Sequence, residues 1–502
     1  MKTSTMLKAD TLIILFLISF ACARESETPD ATWPQFRGVN SSGLADESAK
    51  PPVQFGLNQN LLWKVALPVG HSSPCIWANN IFLTGYIKDS NELQTICINR
   101  STGAVNWRQS IYPEKIENLH AISNAATATP TTDGERVYVY FGSYGLLCFD
   151  MGGALVWEKQ IPTANIWFGA PSSPIVTKDL LILSQDFHHY NYLLALDKVT
   201  GDSVWKVILP EVHKDHYNTT SYSTPVVMDD QVILHRAMEI SAYSIKDGSR
   251  LWWLPTPTSG VSTPIFYQNT LYIGTWQEFG EKERRGDLPD FELMVSINDN
   301  NGDSLITIDE IPDDMLLMSR PEMFEIGSTT HYVKEFFGDF DENKDSAIDR
   351  EEWAETIEWI FTFYGESGLM ALRPDTNGEL PMTQVLWKEK EKVAEVPTPI
   401  YYKGLVYMIK NGGIITCVDA ESGEVLYRER LGASGPYLAS PIAANGNIYI
   451  PSNNGVISVI KAGNKLEILA QNDLEEKIYS TPAVIGNTLY VRTAKNLYAF
   501  EE

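Results

Sequence analysis

Two acidic stretches hold the clearest chemistry in this 502-residue chain. Asp299 to Glu310 reads DNNGDSLITIDE, and Asp341 to Glu352 reads DENKDSAIDREE. The first offers oxygen donors from Asp299, Asn301, Asp303, the Leu305 carbonyl, Thr307 and Glu310. The second offers Asp341, Asn343, Asp345, the Ala347 carbonyl, Asp349 and Glu352. At this spacing a twelve-residue loop wraps its donors around one point and closes on a bidentate Glu. An all-oxygen set suits a hard divalent cation that takes roughly six to eight ligands, and the ion expected is calcium.

This is the spacing of the EF-hand loop, and the flanking text agrees. FELMVSI precedes the first loop, YVKEFF precedes the second and EEWAETIEWIFTF follows it, all helical in pattern. Ile306 and Ile348 stand at the eighth position, where paired loops make a short β contact. The sixth position needs a positive φ and usually carries Gly; here it is Ser304 and Ser346. That substitution costs about 1 kcal/mol and predicts weak sites, adequate outside the cytosol, where affinities of roughly 0.1 to 1 mM serve. Residues 280–364 are therefore expected to form an inserted small α-helical EF-hand domain. From 287 to 362 there are 21 Asp and Glu against 4 Lys and Arg, a net −17 of the chain's −25. A balance this acidic excludes nucleic acid as a partner.

The rest of the chain is a repeat that must position this segment. LLALDKVTGDSVWK (Leu193 to Lys206) reads as two strands joined through a Gly turn, and similar text ends on Trp107, Trp157, Trp252 and Tyr427. In each the aromatic lies four residues after a Gly: Gly103, Gly153, Gly201, Gly248 and Gly423. A divergent copy ends on Trp387. A Ser/Thr-Pro pair followed by apolar residues recurs at 73, 129, 173, 224, 263, 398, 440 and 481. A period of about 40 to 50 residues with four strands, A to D, is a propeller-blade period. The chain ends on a C strand, LYAF (497–500), and begins with an unaccompanied D strand, LLWKVAL (61–67). Joined, they complete an eighth blade. The fold class expected is an all-β eight-bladed β-propeller carrying the EF-hand insertion.

These repeats resemble those of the pyrroloquinoline-quinone (PQQ)-like repeat β-propellers. The opening WPQFRGVNSSG (Trp33 to Gly43) looks like the lead-in of a bacterial extracytoplasmic branch that includes outer-membrane assembly lipoproteins. The resemblance implies a propeller over residues 61–279 and 365–502, with 24–60 as tether and lead-in. It implies function only loosely, because the family holds both quinone enzymes and assembly scaffolds. The adjacent-cysteine pair typical of the alcohol-oxidising members is absent, so PQQ is not the expected cofactor.

Residues 1–23 read as an export signal: Lys2 and Lys8, then the apolar TLIILFLISFA, too short to span a bilayer. Ser19-Phe20-Ala21-Cys22 resembles a lipobox, which would make Cys22 a lipidated N-terminus; Ala21-Cys22-Ala23 also reads as a plain cleavage site. Either way the protein is expected outside the cytoplasm, in the periplasm or at the outer membrane of a Gram-negative cell. Membrane attachment is expected only through that anchor. Cys75, Cys97, Cys148 and Cys417 fall on strands and read as small buried hydrophobes.

Histidines suggest which face works. His71 and His120 lie in D–A connections, His188 and His189 in a B–C loop, and His213 and His216 in the next D–A connection. All six map to one end of the ring, where the insertion, itself a B–C loop, also emerges; it could overhang the channel mouth there. No nucleophile or general base can be named. The reading is a non-catalytic, calcium-binding scaffold for a protein or glycan partner. The alternatives are an enzyme using the histidine face or a PQQ-dependent dehydrogenase.

Overall fold

The computed structural model describes residues 32–502 apart from 121, 164–165, 167, 171, 188–189, 212–219, 278–279, 282–283, 321–329 and 363–366. The signal sequence and Cys22 lie outside the described residues, as do His188, His189, His213 and His216.

The repeats fold as eight blades around one axis. In blade 3 the strands A to D are Ile175–Val176, Leu180–Phe187, Tyr190–Asp197 and Ser203–Ile208, each paired antiparallel with the next. The B and C strands are buried along most of their length because neighbouring blades cover both of their faces; Arg136–Phe141 of blade 2 is buried from its second residue onward. The outermost D strands alternate instead, as Ser203–Ile208 does, because one side meets water. In blade 4 the B and C strands form one run, Gln231–Ser244. It doubles back at Met238 (φ 62°), which brings Ile245 N–H to the Asp230 carbonyl at 2.9 Å.

The ring closes as expected. Leu61–Ala66 pairs with Asn496–Phe500, placing Trp63 opposite Ala499. Strands from both ends of the chain thus share blade 8.

Two inter-blade devices explain the repeat residues. The first uses the D-strand tryptophans. Trp157 lies over Gly201 of the next blade, and its indole N–H donates to the Lys198 carbonyl at 3.2 Å. A Cβ on Gly201 would meet the indole at 2.7 Å, and the residue's φ is 77°, so only Gly serves. Trp63, Trp107, Trp205 and Trp387 repeat the contact. Trp252 departs from it. Its indole donates to Gln231 Oε1 at 2.8 Å, and a short strand from blade 5, Gly378–Glu379, pairs parallel across it.

The second device is a ring of hydrogen bonds. The N–H of Ser73 donates to Thr129 Oγ1, Thr129 to Ser173, Ser173 to Thr224 and Thr224 to Thr263. Thr263 donates to Thr398, Thr398 to Ser440, Ser440 to Thr481, and Thr481 back to Ser73. Distances run from 2.9 to 3.2 Å. Each blade needs a hydroxyl there to accept, which is why Ser or Thr precedes every Pro.

The lead-in does more than pack on the propeller's surface. Thr32–Trp33 pairs antiparallel with Cys75–Trp77, on the axial side of blade 1. The Pro34 carbonyl accepts from Thr132 of blade 2 at 2.9 Å, and Leu44 bridges Ala443 of blade 7 in parallel. A segment that touches the A strands of blades 1, 2 and 7 lies in the channel. Its directions show that it enters from the A–B end, turns back and leaves by the same end. Arg37 sits fully buried in this plug. It donates to the carbonyls of Ser41 and Ser42 within the plug, Pro399 in blade 6 and Pro441 in blade 7. With no carboxylate beside it, burial pulls its pKa down to about 9.

Candidate functional sites

The insertion leaves blade 5 after its B strand, Thr270–Thr275, and returns to its C strand, Gly368–Leu372. Its helices are α1 (Phe291–Asn298), α2 (Phe337–Phe340) and α3 (Arg350–Thr362). Asp290 caps α1 by accepting from Leu293 N–H. The segment is less helical than its pattern predicts. YVKEFF forms a 3-10 turn before the short α2, and Leu316–Ser319 pairs with Thr330–Tyr332 as a two-stranded sheet. Phe291, Met294, Ile306, Val333, Phe340, Ile348 and Trp353 form its own small core.

The two acidic loops face each other across a short antiparallel contact, Ile306 opposite Ile348 and Thr307 opposite Ala347. Asp299 accepts from Gly302 and Ser304 N–H; Asp341 accepts from Asp345 and Ser346 N–H. Glu310 reaches back to Asn300 and Thr307 N–H, and Glu352 to Asn343 and Asp349 N–H. Ser304 and Ser346 have φ of 66° and 76°. The first and last carboxylates of each loop are thus folded inward onto the loop's own backbone. Among the described residues, no three His, Cys, Asp or Glu side chains converge to metal-holding distance.

The root of the insertion is seated on the propeller. Glu281 pairs with Arg284 (2.7 Å) and with Lys410 at the end of blade 6's B strand, all three buried. Arg320 pairs with Glu395, which also accepts from Asn411 at 3.0 Å, and the Arg320 guanidinium lies 5.2 Å from the Trp276 ring. Met238, at the turn of blade 4, packs against the insertion's core. The insertion therefore spans the B–C face from blade 4 to blade 6.

His71 and His120 both lie in connections on that face but have separate surroundings. His71 stacks on Tyr479 with ring centroids 4.0 Å apart; His120 lies 4.9 Å from Phe168. Burial, and then the Arg492 charge, pull His71 down to about 3, so its ring is neutral at physiological pH. A third imidazole, His235, is buried between the Ser262 carbonyl and Thr258 Oγ1, both at 2.7 Å, and serves packing.

Three buried carboxyls on this face, Asp186, Glu239 and Glu117, were not legible beforehand. Asp186 and Glu239 share Arg236. The Asp186 carboxylate takes Nε and Nη2, both at 3.0 Å, and Glu239 takes Nη1 at 3.4 Å. Burial alone would lower the Arg236 pKa, but Asp186 outweighs it and holds the guanidinium above its ordinary value. Glu117, in the connection between blades 1 and 2, is pushed up to about 7 by burial. The Ala170 N–H at 2.8 Å and Ser143 Oγ at 3.4 Å pull it only partly back. Below about pH 4.5 this carboxyl is protonated in folded and unfolded chains alike. Between 4.5 and about 7 only the folded chain holds the proton, so stability falls as pH rises across that window. Glu117→Gln keeps the acceptor for Ala170 and cannot ionise. Chemical denaturation from pH 4.5 to 8 is expected to show the variant gaining on wild type by up to about 3 kcal/mol, all of it below about pH 7.5. A pH-independent difference would mean Glu117 does not titrate there.

Comparisons with known proteins agree with the blade architecture. The family model described as outer membrane protein assembly factor BamB matches residues 189–288, which reach into the root of the insertion, and residues 383–502 after it. The assembly factor BamB of Yersinia pestis is 26% identical over 98 residues, 20% of this chain and 24% of that protein. The one from Salmonella typhimurium is 21% identical over 119 residues, 22% of this chain and 29% of that protein. The chain thus spans under a third of the length of these curated relatives. Among solved structures, BamB from Moraxella catarrhalis superposes with a TM-score of 0.51 at 11% identity, covering 88% of this chain and 99% of that one. A europium-containing methanol dehydrogenase gives 0.55 at 10%, covering 94% and 98%. At these identities the superpositions speak for the fold alone. Taken with the ring, the docked tryptophans and the closed eighth blade, they establish an eight-bladed β-propeller, whose repeats are similar to those of the assembly-factor propellers over the matched stretches.

Proposed function

We propose that the protein is an extracytoplasmic, non-catalytic propeller that holds a protein partner on its D–A and B–C face, beside an insertion that binds calcium through two EF-hand loops. One observation carries the calcium reading: two loops of matching donor order lie paired, with their first and last carboxylates already turned inward. The donors are all oxygens, from Asp, Asn, Thr and Glu side chains and the Leu305 and Ala347 carbonyls, and this set fits calcium rather than zinc. Calcium would neutralise carboxylates that otherwise repel, and would fix an insertion already anchored to blades 4 and 6. The likeness to assembly-factor propellers supports a protein partner, and the N-terminal sequence supports the location.

Calorimetry at millimolar calcium is expected to find two sites. Glu310→Gln and Glu352→Gln each remove one bidentate ligand and are each expected to abolish one site, leaving the other measurable. Absence of heat from the wild type at that concentration would refute the calcium reading.

A further inference from the structure

A cleft of about 740 Å³ opens against blade 8, on the same face. This is the size of a ligand site, typically about 300 to 1,000 Å³. Its walls are the connection entering blade 8, which includes Lys477 and Tyr479, the B–C turn with Lys495, and His71 from the connection into blade 1. It continues down the outer flank of the blade to Lys64. Building on the scaffold reading, we propose that this cleft docks an acidic, carboxylate-bearing stretch of the partner polypeptide.

The charges point that way. Lys64, Lys477 and Lys495 are exposed around the opening. Behind them Arg492 is fully buried and donates only to neutral acceptors: the Ser72 carbonyl and hydroxyl, and the Pro68 and Thr84 carbonyls. No ion pair to Arg492 exists among the described residues. Of the two acids lining the cleft, Glu476 is occupied internally. It accepts from Lys495 N–H and Asn496 Nδ2, both at 2.7 Å, and from the Tyr498 hydroxyl. Glu475 and Glu476 both oppose the three lysines, Glu476 acting on Lys64, so the balance at the rim stays positive, with Arg492 behind it. In a chain of net charge −25 this is a local excess of positive charge, which draws an anion and sets its register.

A polypeptide fits better than a sugar. Sugar hydroxyls are read by free amide and carboxylate pairs, and here the Asn496 amide donates to the Glu476 carboxylate and the Asn124 carbonyl oxygen accepts from Ala126 N–H. Lysines are mobile point charges that meet carboxylates without demanding geometry. The open course from the face to the flank suits an extended chain.

The test uses the exported protein and a fluorescein-labelled peptide of about ten alternating Glu and Ala residues, followed by anisotropy at low salt. The peptide is expected to bind, and to weaken as salt rises. The double variant Lys477→Glu, Lys495→Glu is expected to bind at least about tenfold more weakly. Lys178→Glu, at the opposite end of the ring, is expected to change nothing. Lys64→Glu gives a second, milder reading should the double variant lose its thermal transition. Wild-type affinity in both cleft variants would overturn the proposal. So would binding of polygalacturonate at the cleft with none of the peptide. Calcium calorimetry on the same samples separates the two readings: calcium bound without peptide leaves the insertion's role standing and removes the cleft's.

Discussion

Alanine in place of Arg37 is expected to destabilise the propeller by roughly 3 to 4 kcal/mol. The guanidinium is the pin of the channel plug. Its removal strands three buried carbonyls, those of Ser41, Pro399 and Pro441, with the half-buried one of Ser42, and leaves a cavity on the axis. Desolvation already works against the charge, so the hydrogen bonds, not the charge itself, hold the plug. Arg37→Met restores stem volume but not the donors, and should recover only part of the loss. Lysine lacks the planar fork and should not rescue fully either. Denaturant midpoints give the stability, and limited proteolysis within residues 32–60 reports release of the plug. An unchanged midpoint with an uncut lead-in would show that the segment is not needed to hold the ring.

Arg236→Ala is expected to cost about 3 to 5 kcal/mol, because it leaves Asp186 buried without its counter-ion and takes one of two from Glu239. Asp186 keeps Ser221 Oγ at 2.8 Å, and Glu239 keeps Arg250, so neither carboxylate is wholly abandoned. The informative measurement is the cycle with Asp186→Ala. If the pair is coupled as its geometry requires, the double variant is less damaged than the sum of the singles by at least about 1 kcal/mol. Strict additivity would deny the coupling. The result bears on function because this pair joins the B strands of blades 3 and 4 beneath the working face, next to Met238, on which the insertion rests.

The insertion shows where local text sufficed and where it failed. Helices α1 and α3 and the Ile306–Ile348 contact follow from spacing, since capping, periodicity and loop geometry are properties of a dozen adjacent residues. The sheet of Leu316–Ser319 with Thr330–Tyr332 does not, because each strand is short and acquires its partner only when the core around Met318 and Val333 closes. Its seating was equally hidden. Glu281, Lys410, Arg320 and Glu395 are ordinary charged residues in the text, and only the approach of blade 6 makes a buried pair of the first two and a part-buried pair of the others. Of the six face histidines, the described His71 and His120 lie at one end of the ring, against Tyr479 and Phe168 respectively.

By itself the sequence determined blade number, strand order and ring closure. Those depend on a repeated apolar pattern and on an unpaired strand at each end of the propeller text, and a one-dimensional period carries them fully. It also placed the glycines and tryptophans four residues apart, but it could not say what they touch. The tertiary structure decided that each Gly receives the tryptophan of the preceding blade, as Gly201 receives Trp157. It decided too that the Ser and Thr of the repeats form one hydrogen-bonded circle, and that the lead-in fills the channel through Arg37. Each of these contacts joins residues about 40 to 400 positions apart. No local propensity encodes such a pairing; it exists only once eight sheets stand around a common axis and bring their edges within hydrogen-bonding distance.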